Sequence, residues 1–221
     1  MEIRKFRNYY GLELITASHA GIHVGDLVWD PLIGSPGFSH PGMPNSIYTA
    51  FLDANLIDKK EFELFRDDCK KTKLLPAHLT DRTVEMDSEF ITEIQHPLLG
   101  KIEGSFTLDS ISKFHFGELQ VRELADLLRV KVDQYLEIMK ANNWKEYDGR
   151  IRRVSMITEL YYGSMKLIVE RSLSGNLDAV MKKNGITAVT RNADSKSVAY
   201  SFSHEEVPFA MRIERVRNFN G

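Results

Sequence analysis

Two histidines and two aspartates lie close together in residues 18–31, and such a group suggests a metal site. The four-residue spacing of His19 and His23 would place both imidazoles on one face of a helix, as in zinc-binding helices. Gly21 and Gly25 disfavour a helix, however, and no glutamate directly follows His19. We therefore interpret the segment as a loop and a strand with hydrogen-bonded histidines, and we predict no bound metal.

Other residues with catalytic side chains lack, in the sequence, the neighbours that catalysis requires. Cys69 is the single cysteine, and no histidine lies near it in sequence to activate a thiolate. Asp67 and Asp68, like Glu205 and Glu206, are adjacent along the chain, so the two carboxylates of each pair do not face one another. No GxSxG, HExxH, paired-cysteine or glycine-rich nucleotide motif is present. We predict that the protein is not an enzyme and binds no cofactor.

Length and composition favour one folded domain. The chain has 221 residues, of which 43% are hydrophobic, so it can bury a sizeable core. A single cysteine permits no intrachain disulfide, which favours a reducing compartment. Residues 1–7 are basic and precede no apolar run, so we predict no signal peptide. No apolar stretch approaches the roughly 20 residues of a membrane-spanning helix.

The net charge of −2 hides an uneven distribution of charge. Residues 150–221 contain 12 Lys and Arg against 7 Asp and Glu, a balance of +5, which leaves −7 for residues 1–149. A basic segment attracts anionic partners such as lipid headgroups, nucleic acid or an acidic protein, without discriminating among them. A solvated sheet face with several arginines would give the same balance.

The clearest strand pattern lies in the last third of the chain. Alternate residues are apolar over residues 154–162, and the alternation resumes at Met165. Gly163 and Ser164 between these runs suit a type II′ turn, so we predict an amphipathic hairpin over residues 152–171.

A second hairpin is predicted over residues 197–216. Val198, Tyr200 and Phe202 alternate with small polar residues, and a similar alternation begins again at Val207. Pro208 places the last strand at an edge of the sheet or just inside the strand's start.

Helical periodicity predicts three helices, at residues 46–56, 58–72 and 121–141. Ser46 is a suitable N-cap for the first, and Asp58 with Glu61 forms a capping box at the start of the second. In the third, the apolar residues that would pack against the sheet recur at three- and four-residue steps; they are Val121, Leu124, Leu128, Val132, Tyr135 and Met139.

Residues 121–140 also have the rhythm of a helix-turn-helix, a DNA-binding motif. Arg129 occupies the place of the usual turn glycine, and Lys131 and Lys140 are balanced by Asp133 and Glu137. Docking on phosphates requires a basic excess, so we favour amphipathic packing and do not expect nucleic acid as a partner.

The order of segments resembles the bacterial gasdermins, cytosolic proteins that insert strands into membranes and assemble large rings. Residues 11–15 (GLELI) are similar to the family's opening strand, and residues 111–121 (ISKFHFGELQV) to its aromatic-alternating strand before a helix. The resemblance is strongest at residues 154–162 and 197–213, where SVAYSF and VPFAM are similar to the family's final hairpin.

The chain departs from that family in two respects. Many bacterial gasdermins carry a cysteine near the N-terminus that can be lipidated, and this segment has none. The family is also restrained by a short C-terminal peptide that a protease removes, whereas this sequence ends soon after the last predicted strand.

The resemblance implies a pore-forming, membrane-permeabilising protein of bacterial defence and cell death that stays soluble until activation. It would move from the cytoplasm to the inner face of the cell membrane. Its partners would be anionic membrane lipids, further copies of the chain as an oligomer, and an activating protease. The apolar residues of the membrane-inserting strands would be Val154, Met156, Leu160, Tyr162, Met165, Leu167, Val169, Val198, Tyr200, Phe202, Val207, Phe209, Met211 and Ile213.

Basic residues would hold such a protein to anionic lipid, each contributing on the order of 1 kcal/mol near the surface. These residues would be Arg4, Lys5, Arg7, Arg150, Arg152 and Arg153. In inserted strands alternate side chains meet lipid, and Ser201, Ser203, Arg212 and Glu214 would face water.

The predicted fold is α+β, with a twisted antiparallel sheet and flanking helices in one domain over residues 1–221. An ordinary sheet whose apolar face is covered by the helix at residues 121–139 would show the same alternation. The alternative function is therefore that of a cytosolic, non-enzymatic binding protein, either a helix-turn-helix regulator or a partner-binding module of the immunity-protein type.

Overall fold

The protein has the predicted α+β fold, with an antiparallel sheet and helices. The computed structural model describes residues 7–8, 10–15, 22–29, 46–71, 75–76, 83–85, 111–170, 179, 182, 188–190, 197–204 and 208–219. The strands are β1 (Glu13–Leu14), β2 (Leu27–Trp29), β3 (Leu75–Pro76), β4 (Thr83–Glu85), β5 (Ile111–Glu123), β6 (Val154–Glu170), β7 (Ala188–Thr190), β8 (Ser197–His204) and β9 (Ala210–Arg215). The helices are α1 (Ile47–Asp53), α2 (Lys59–Lys71), α3 (Asp126–Asn142) and α4 (Trp144–Glu146), with a π-helical turn at Tyr147–Ile151 and a 3₁₀ turn at Val216–Asn218.

The chain groups into two compact units, each built from three separate stretches. Unit 1 consists of Met1–Ala20, Leu75–Val121 and Tyr161–Ala210. Unit 2 consists of Gly21–Leu74, Arg122–Leu160 and Met211–Gly221. The organisation of residues 1–221 as one domain stays a prediction.

Unit 1 contains an antiparallel pairing of eight residues between β6 and β8. Its register runs from Gly163 opposite His204 to Glu170 opposite Ser197. β7 pairs antiparallel with β8, and β3 and β4 each pair antiparallel with β5.

Gly163 does not form the predicted turn. β6 is one strand of 17 residues that continues through Gly163 and Ser164, so the predicted hairpin over residues 152–171 is wrong. Gly163 has a φ of +138°, and a Cβ there would clash with the carbonyl oxygen of Glu118 and lie 2.9 Å from the Cα of Leu119. The glycine is therefore required because the backbone of β5 approaches closely, a second reason for glycine inside a strand.

The second predicted hairpin, over residues 197–216, is also not formed by the described strands. β8 pairs with β6 and β7, whereas β9 lies between β1 and β6 in the order of the sheet. The backbone N–H of Phe209 donates to the carbonyl oxygen of Tyr161 at 3.0 Å, just before β9 begins. The long strand β6 is thus the neighbour of both β8 and β9, which were predicted to pair with each other.

In unit 2, the loop before β2 forms backbone hydrogen bonds both with β6 and with the start of α1. The N–H of Gly25 donates to the carbonyl oxygen of Ile157 at 2.8 Å, and the N–H of Ile157 donates to that of Asp26 at 2.9 Å. The N–H of Ile47 donates to the carbonyl oxygen of Gly25 at 2.9 Å. Gly25 has a φ of +92°, and a Cβ there would lie 2.5 Å from a ring carbon of Tyr48.

Aromatic rings join the three longer helices of unit 2. Tyr48 of α1 stacks on Phe65 of α2 with ring centroids 5.4 Å apart. Tyr135 of α3 lies 5.3 Å from Phe51 and 6.3 Å from Phe65. Burial of these rings supplies much of the apolar contact among the helices.

The helix signals of the sequence are confirmed at two N-termini. The Oγ of Ser46 accepts from the N–H of Thr49 at 3.1 Å, and the capping box has its expected reciprocal bonds. In that box the N–H of Glu61 donates to Asp58 Oδ1 at 2.8 Å, and the N–H of Asp58 donates to Glu61 Oε2 at 3.3 Å.

Removing the cap of α1 tests this assignment. We expect Ser46→Ala to lower the free energy of unfolding by about 1 kcal/mol, because one of the first N–H groups of α1 loses its acceptor. Ser46→Asp keeps an acceptor at the same position and serves as the matched control, with a stability near that of the wild type. Urea unfolding followed by circular dichroism measures both, and equal losses for the two variants would contradict the capping role.

The third helix begins five residues later than predicted. Val121 pairs with Leu75 in the sheet, and the N–H of Leu124 donates to the carbonyl oxygen of Thr158 at 2.9 Å. From Asp126 to Asn142 the helix is continuous through Arg129, so residues 121–140 do not form a helix-turn-helix. Of the expected inner residues of the helix, Leu128, Val132 and Met139 are buried, whereas Tyr135 is half-buried and its neighbour Leu136, which was not predicted, is buried.

Candidate functional site

Most of the predicted membrane-inserting residues are buried in this structure. Among the described side chains, Ile213 is half-buried and the others are buried: Val154, Met156, Leu160, Tyr162, Met165, Val169, Val198, Tyr200, Phe209 and Met211. Leu167 and Phe202 lie in β6 and β8, but their side chains are not described, and Val207 lies outside the described residues. The apolar rows are thus covered by protein in the folded state.

The first half of β6 is buried on both of its faces except at Glu159, which is half-buried. Ser155 and Ile157, which alternate with the predicted apolar row, are 1% and 0% exposed, and Thr158 is 2% exposed. A strand covered on both sides behaves as part of a core. This half therefore lacks the polar face that strands inserted in a membrane need on their water side.

The second half of β6 has two distinct faces together with β8. One face carries the register pairs Met165 with Phe202, Leu167 with Tyr200, and Val169 with Val198. The opposite face carries Ser164 with Ser203, Lys166 with Ser201, and Ile168 with Ala199. We call residues 163–170 and 197–204 the amphipathic ribbon.

Exposure follows the same division. On the apolar face Met165, Val169 and Tyr200 are 0% exposed and Val198 is 4% exposed. On the opposite face Ser164, Lys166, Ile168, Ala199 and Ser201 are all partly exposed. The alternation of residue types is therefore matched by an alternation of burial, which the first half of β6 does not show.

Close backbone contacts fix the start of the ribbon against β5. Besides the contact at Gly163, a Cβ on Gly117 would clash with the Oγ of Ser164 and lie 3.3 Å from its carbonyl oxygen. Phe116 of β5 is 0% exposed and stacks on Phe209 with ring centroids 5.6 Å apart. The boundary between the doubly buried half of β6 and the amphipathic half thus falls at Gly163.

The predicted lipid-binding residues do not form one group that the structure describes. Arg7 pairs with Glu13, and Arg152 donates to Asp148 Oδ1 at 2.5 Å. Arg153 is exposed, the side chain of Arg150 is not described, and Arg4 and Lys5 lie outside the described residues. Their role at a lipid surface stays a prediction.

Two of the residues predicted to face water in a pore are engaged in ion pairs in unit 2. Arg212 Nε lies 2.9 Å from Glu159 Oε2, and Glu214 Oε2 lies 2.5 Å from a guanidinium nitrogen of Arg129. Arg129 also lies 5.1 Å above the ring of Phe219. Both pairs are partly exposed, so each contributes modestly to stability.

The described part of the histidine and aspartate segment, residues 22–29, contains a hydrogen-bonded loop followed by the strand β2. The backbone N–H of His23 donates to Asp26 Oδ2 at 2.7 Å, and His23 Nδ1 lies 3.9 Å from the same oxygen. Burial raises the pKa of the Asp26 carboxyl to about 7, against the opposing effect of the hydrogen bond from His23. His19 and Asp30 lie outside the described residues, and in the described part no three His, Cys, Asp or Glu side chains are placed to hold a metal ion.

Sequence reasoning missed two features of the described structure. The shift at Asp26 depends on how deeply the carboxyl is buried, and its only sequence signal is an aspartate directly before an apolar strand. Leu127, Val130 and Ile138 are exposed on α3, although they are apolar. A helical projection of residues 126–142 would have found them, because they lie opposite the buried face.

No family model matches the sequence, and no curated protein matches it either. Among the described helices, none combines the length and the apolar character needed to cross a bilayer.

Proposed function

We propose that the protein is a gasdermin-like, membrane-permeabilising protein that inserts the amphipathic ribbon and is held soluble until it is activated. The observation that carries the proposal is the register of the ribbon. Each of its three inner pairs on one face joins two apolar residues, and no charged residue interrupts that face between Met165 and Val169. A surface of this kind meets the requirement for strands that place alternate side chains in lipid.

The apolar face of the ribbon itself loses little free energy when lipid replaces the protein that covers it. Lipid tails are about as apolar as the side chains of a protein core, so Val169 and Val198 stay in an apolar environment after the exchange. The hydrogen bonds between β6 and β8 stay within the ribbon and remain satisfied. Eight paired residues are about 27 Å long, slightly fewer than the roughly 9–11 residues of a tilted membrane-spanning strand.

The ribbon cannot insert as a single copy, because its outer edges would leave backbone groups unpaired in lipid. Pairing with the ribbons of further copies satisfies these edges. The proposal therefore includes a homo-oligomer at the membrane. It also includes anionic lipids, which attract the basic C-terminal third of the chain, and a role in bacterial defence by cell death. An activating protease is the proposed trigger.

Permeabilisation is tested by release of an encapsulated dye from vesicles. We expect release from vesicles that contain phosphatidylglycerol, after limited proteolysis of the protein, and much less from vesicles of phosphatidylcholine alone. Sealed acidic vesicles under every proteolytic condition would contradict the proposal.

Insertion of the ribbon is tested by two neighbouring cysteine variants in a Cys69→Ser background. Val198→Cys and Ala199→Cys, each labelled with the small fluorophore bimane, report opposite faces of β8. Nitroxide-labelled lipids are expected to quench the label at residue 198 several-fold more than the label at residue 199. Equal quenching at both positions, or none, would exclude the ribbon as the inserted element even if dye is released.

A further inference from the structure

We infer that the outer face of α3 is a docking surface for a basic, amphipathic helix of a partner protein. The surface consists of an apolar stripe, formed by Leu127, Val130 and Ile138, and of an acidic edge, formed by Asp126, Asp133 and Glu137. This inference is independent of the amphipathic ribbon and of the proposed function.

The apolar stripe is exposed along the whole length of α3. Leu127 is 70% exposed, Val130 is 51% exposed and Ile138 is 40% exposed. With Gln134 and Ala141, which are also exposed, they follow one another at steps of three or four residues. At about 100° per residue such positions share one side of a helix, and the row from Leu127 to Ala141 covers about 21 Å, or four turns.

The stripe does not belong to the core-facing side of α3. The buried residues Leu128, Val132, Leu136 and Met139 lie on the opposite side of the helix. A surface helix normally has one apolar face. A second apolar face that stays in water is unfavourable in the isolated protein. Covering it with a partner removes apolar surface from water and therefore stabilises the complex.

An acidic edge runs beside the stripe on one side. Asp126, Asp133 and Glu137 are separated by seven and four residues, so they stand above one another next to Val130. Asp133 and Glu137 are like charges one turn apart, an arrangement that destabilises a helix by itself. Lys140, three residues after Glu137, offsets part of this repulsion, and a cation of a partner placed between the two carboxylates would relieve the rest.

Asp133 is also short of hydrogen-bond donors. Its Oδ1 is buried and has no hydrogen-bond partner among the described residues. Burial raises the pKa of the Asp133 carboxyl; the charge of Arg129 lowers it, and those of Glu137 and Glu214 raise it. The guanidinium of Arg129 is occupied by Glu214 and the ring of Phe219, and Oδ1 of Asp133 is buried, so a lysine or arginine of a partner would bind at the exposed residues Asp126 and Glu137.

Charge disfavours two other occupants, an antiparallel second copy and an anionic membrane. A second copy docking antiparallel would bring the acidic edge against itself, which costs free energy. A membrane with anionic lipids would repel the same edge. A helix with apolar residues at three- and four-residue steps and with basic flanks satisfies both parts of the surface.

The test uses two fluorescein-labelled synthetic peptides of 18 residues and the full chain. One peptide is an amphipathic helix with leucines along one face and lysines along its edges, and the other has glutamate in place of each lysine. Fluorescence anisotropy is expected to show binding of the lysine peptide that is at least tenfold tighter than that of the glutamate peptide. Absence of binding at about 100 μM, a free energy of only about −5.5 kcal/mol, overturns the inference.

Variants assign the binding to the surface. Val130→Glu and Ile138→Glu are expected to weaken binding of the lysine peptide at least tenfold, and Glu137→Gln severalfold. Leu64→Glu is the matched control, because Leu64 is also exposed, at 57%, but lies on α2. Each variant is an exchange at an exposed position, and circular dichroism checks that it is folded. Unchanged binding by the stripe variants, or an equal loss with Leu64→Glu, overturns the inference.

Two further measurements separate the other occupants. Sedimentation of the chain alone that shows a dimer, lost in Val130→Glu, would assign the stripe to a second copy and overturn the inference. Binding to phosphatidylserine vesicles that is lost in the same variant would assign it to lipid and overturn it likewise. A monomer whose vesicle binding is unaffected by Val130→Glu supports the inference.

Discussion

Gly163→Ala is expected to lower the free energy of unfolding by about 3 kcal/mol or more. Two effects combine at this position. The φ of +138° lies in a region that L-residues rarely adopt, and the added methyl group would meet the backbone of β5 at Glu118 and Leu119. Neither of these neighbours can move as a flexible side chain would. The result would be separation of β5 from β6 at the start of the amphipathic ribbon.

Gly149→Ala is the matched control for this experiment. A Cβ at Gly149 would meet no atom within 4 Å, and the residue has no positive φ. We expect its stability to lie within about 0.5 kcal/mol of the wild type, as for other unconstrained surface positions. Urea midpoints of the three proteins measure the difference. Equal midpoints for the two variants would show that β5 does not approach Gly163 as described.

The contribution of Asp26 to the stability of the protein is expected to fall as the pH rises from about 4 to about 7. The pKa of Asp26 is about 7 in the folded protein, against 3.8 as the ordinary value, so the folded state holds the proton more tightly than the unfolded state. The stabilisation is complete below pH 3.8 and is lost as the pH passes 7. At about 1.4 kcal/mol per unit, the loss is at most about 4 kcal/mol.

Asp26→Asn removes the ionisation but keeps an oxygen that can accept from the N–H of His23. The variant is expected to have nearly the wild-type stability at pH 4, to exceed it by up to about 4 kcal/mol at pH 8, and to show a flatter profile between these values. Urea unfolding at several pH values is a suitable measurement, since urea is uncharged. Parallel profiles for wild type and variant would contradict the burial of this carboxyl.

Two controls isolate Asp26 in this comparison. The same pair of proteins in a His23→Gln background removes the imidazole whose Nδ1 lies 3.9 Å from the carboxyl. Asp53→Asn changes an exposed carboxyl of α1 and is expected to leave the profile unchanged.

The sequence located the helices because their signals are local. Ser46 is followed three residues later by the N–H group that it caps, and the bonds between Asp58 and Glu61 likewise connect residues three apart. The exception is the start of α3, where Val121 and Leu124 fit a helical spacing. Their pairing with Leu75 and Thr158 decided the outcome, and those partners are distant in sequence.

Strand pairing could not be predicted to the same extent. Alternation identified the apolar positions of β6 and β8, but it contains no information on which strand lies next to which. Gly163 illustrates the limit, because glycine suits both a type II′ turn and the close approach of another backbone. Only the position of Glu118 distinguishes the two, and it lies 45 residues away in sequence.

The alternation of units along the chain affects how the protein responds to cutting. No continuous fragment contains the whole of one unit without a large part of the other, and a break between Leu160 and Tyr161 would divide β6 itself. A single nick elsewhere leaves pieces of at least one unit on both sides of the break, held together by pairings such as that of Gly163–Glu170 with Ser197–His204. Domain dissection by simple truncation is therefore expected to fail, whereas co-expressed complementary fragments should reassemble.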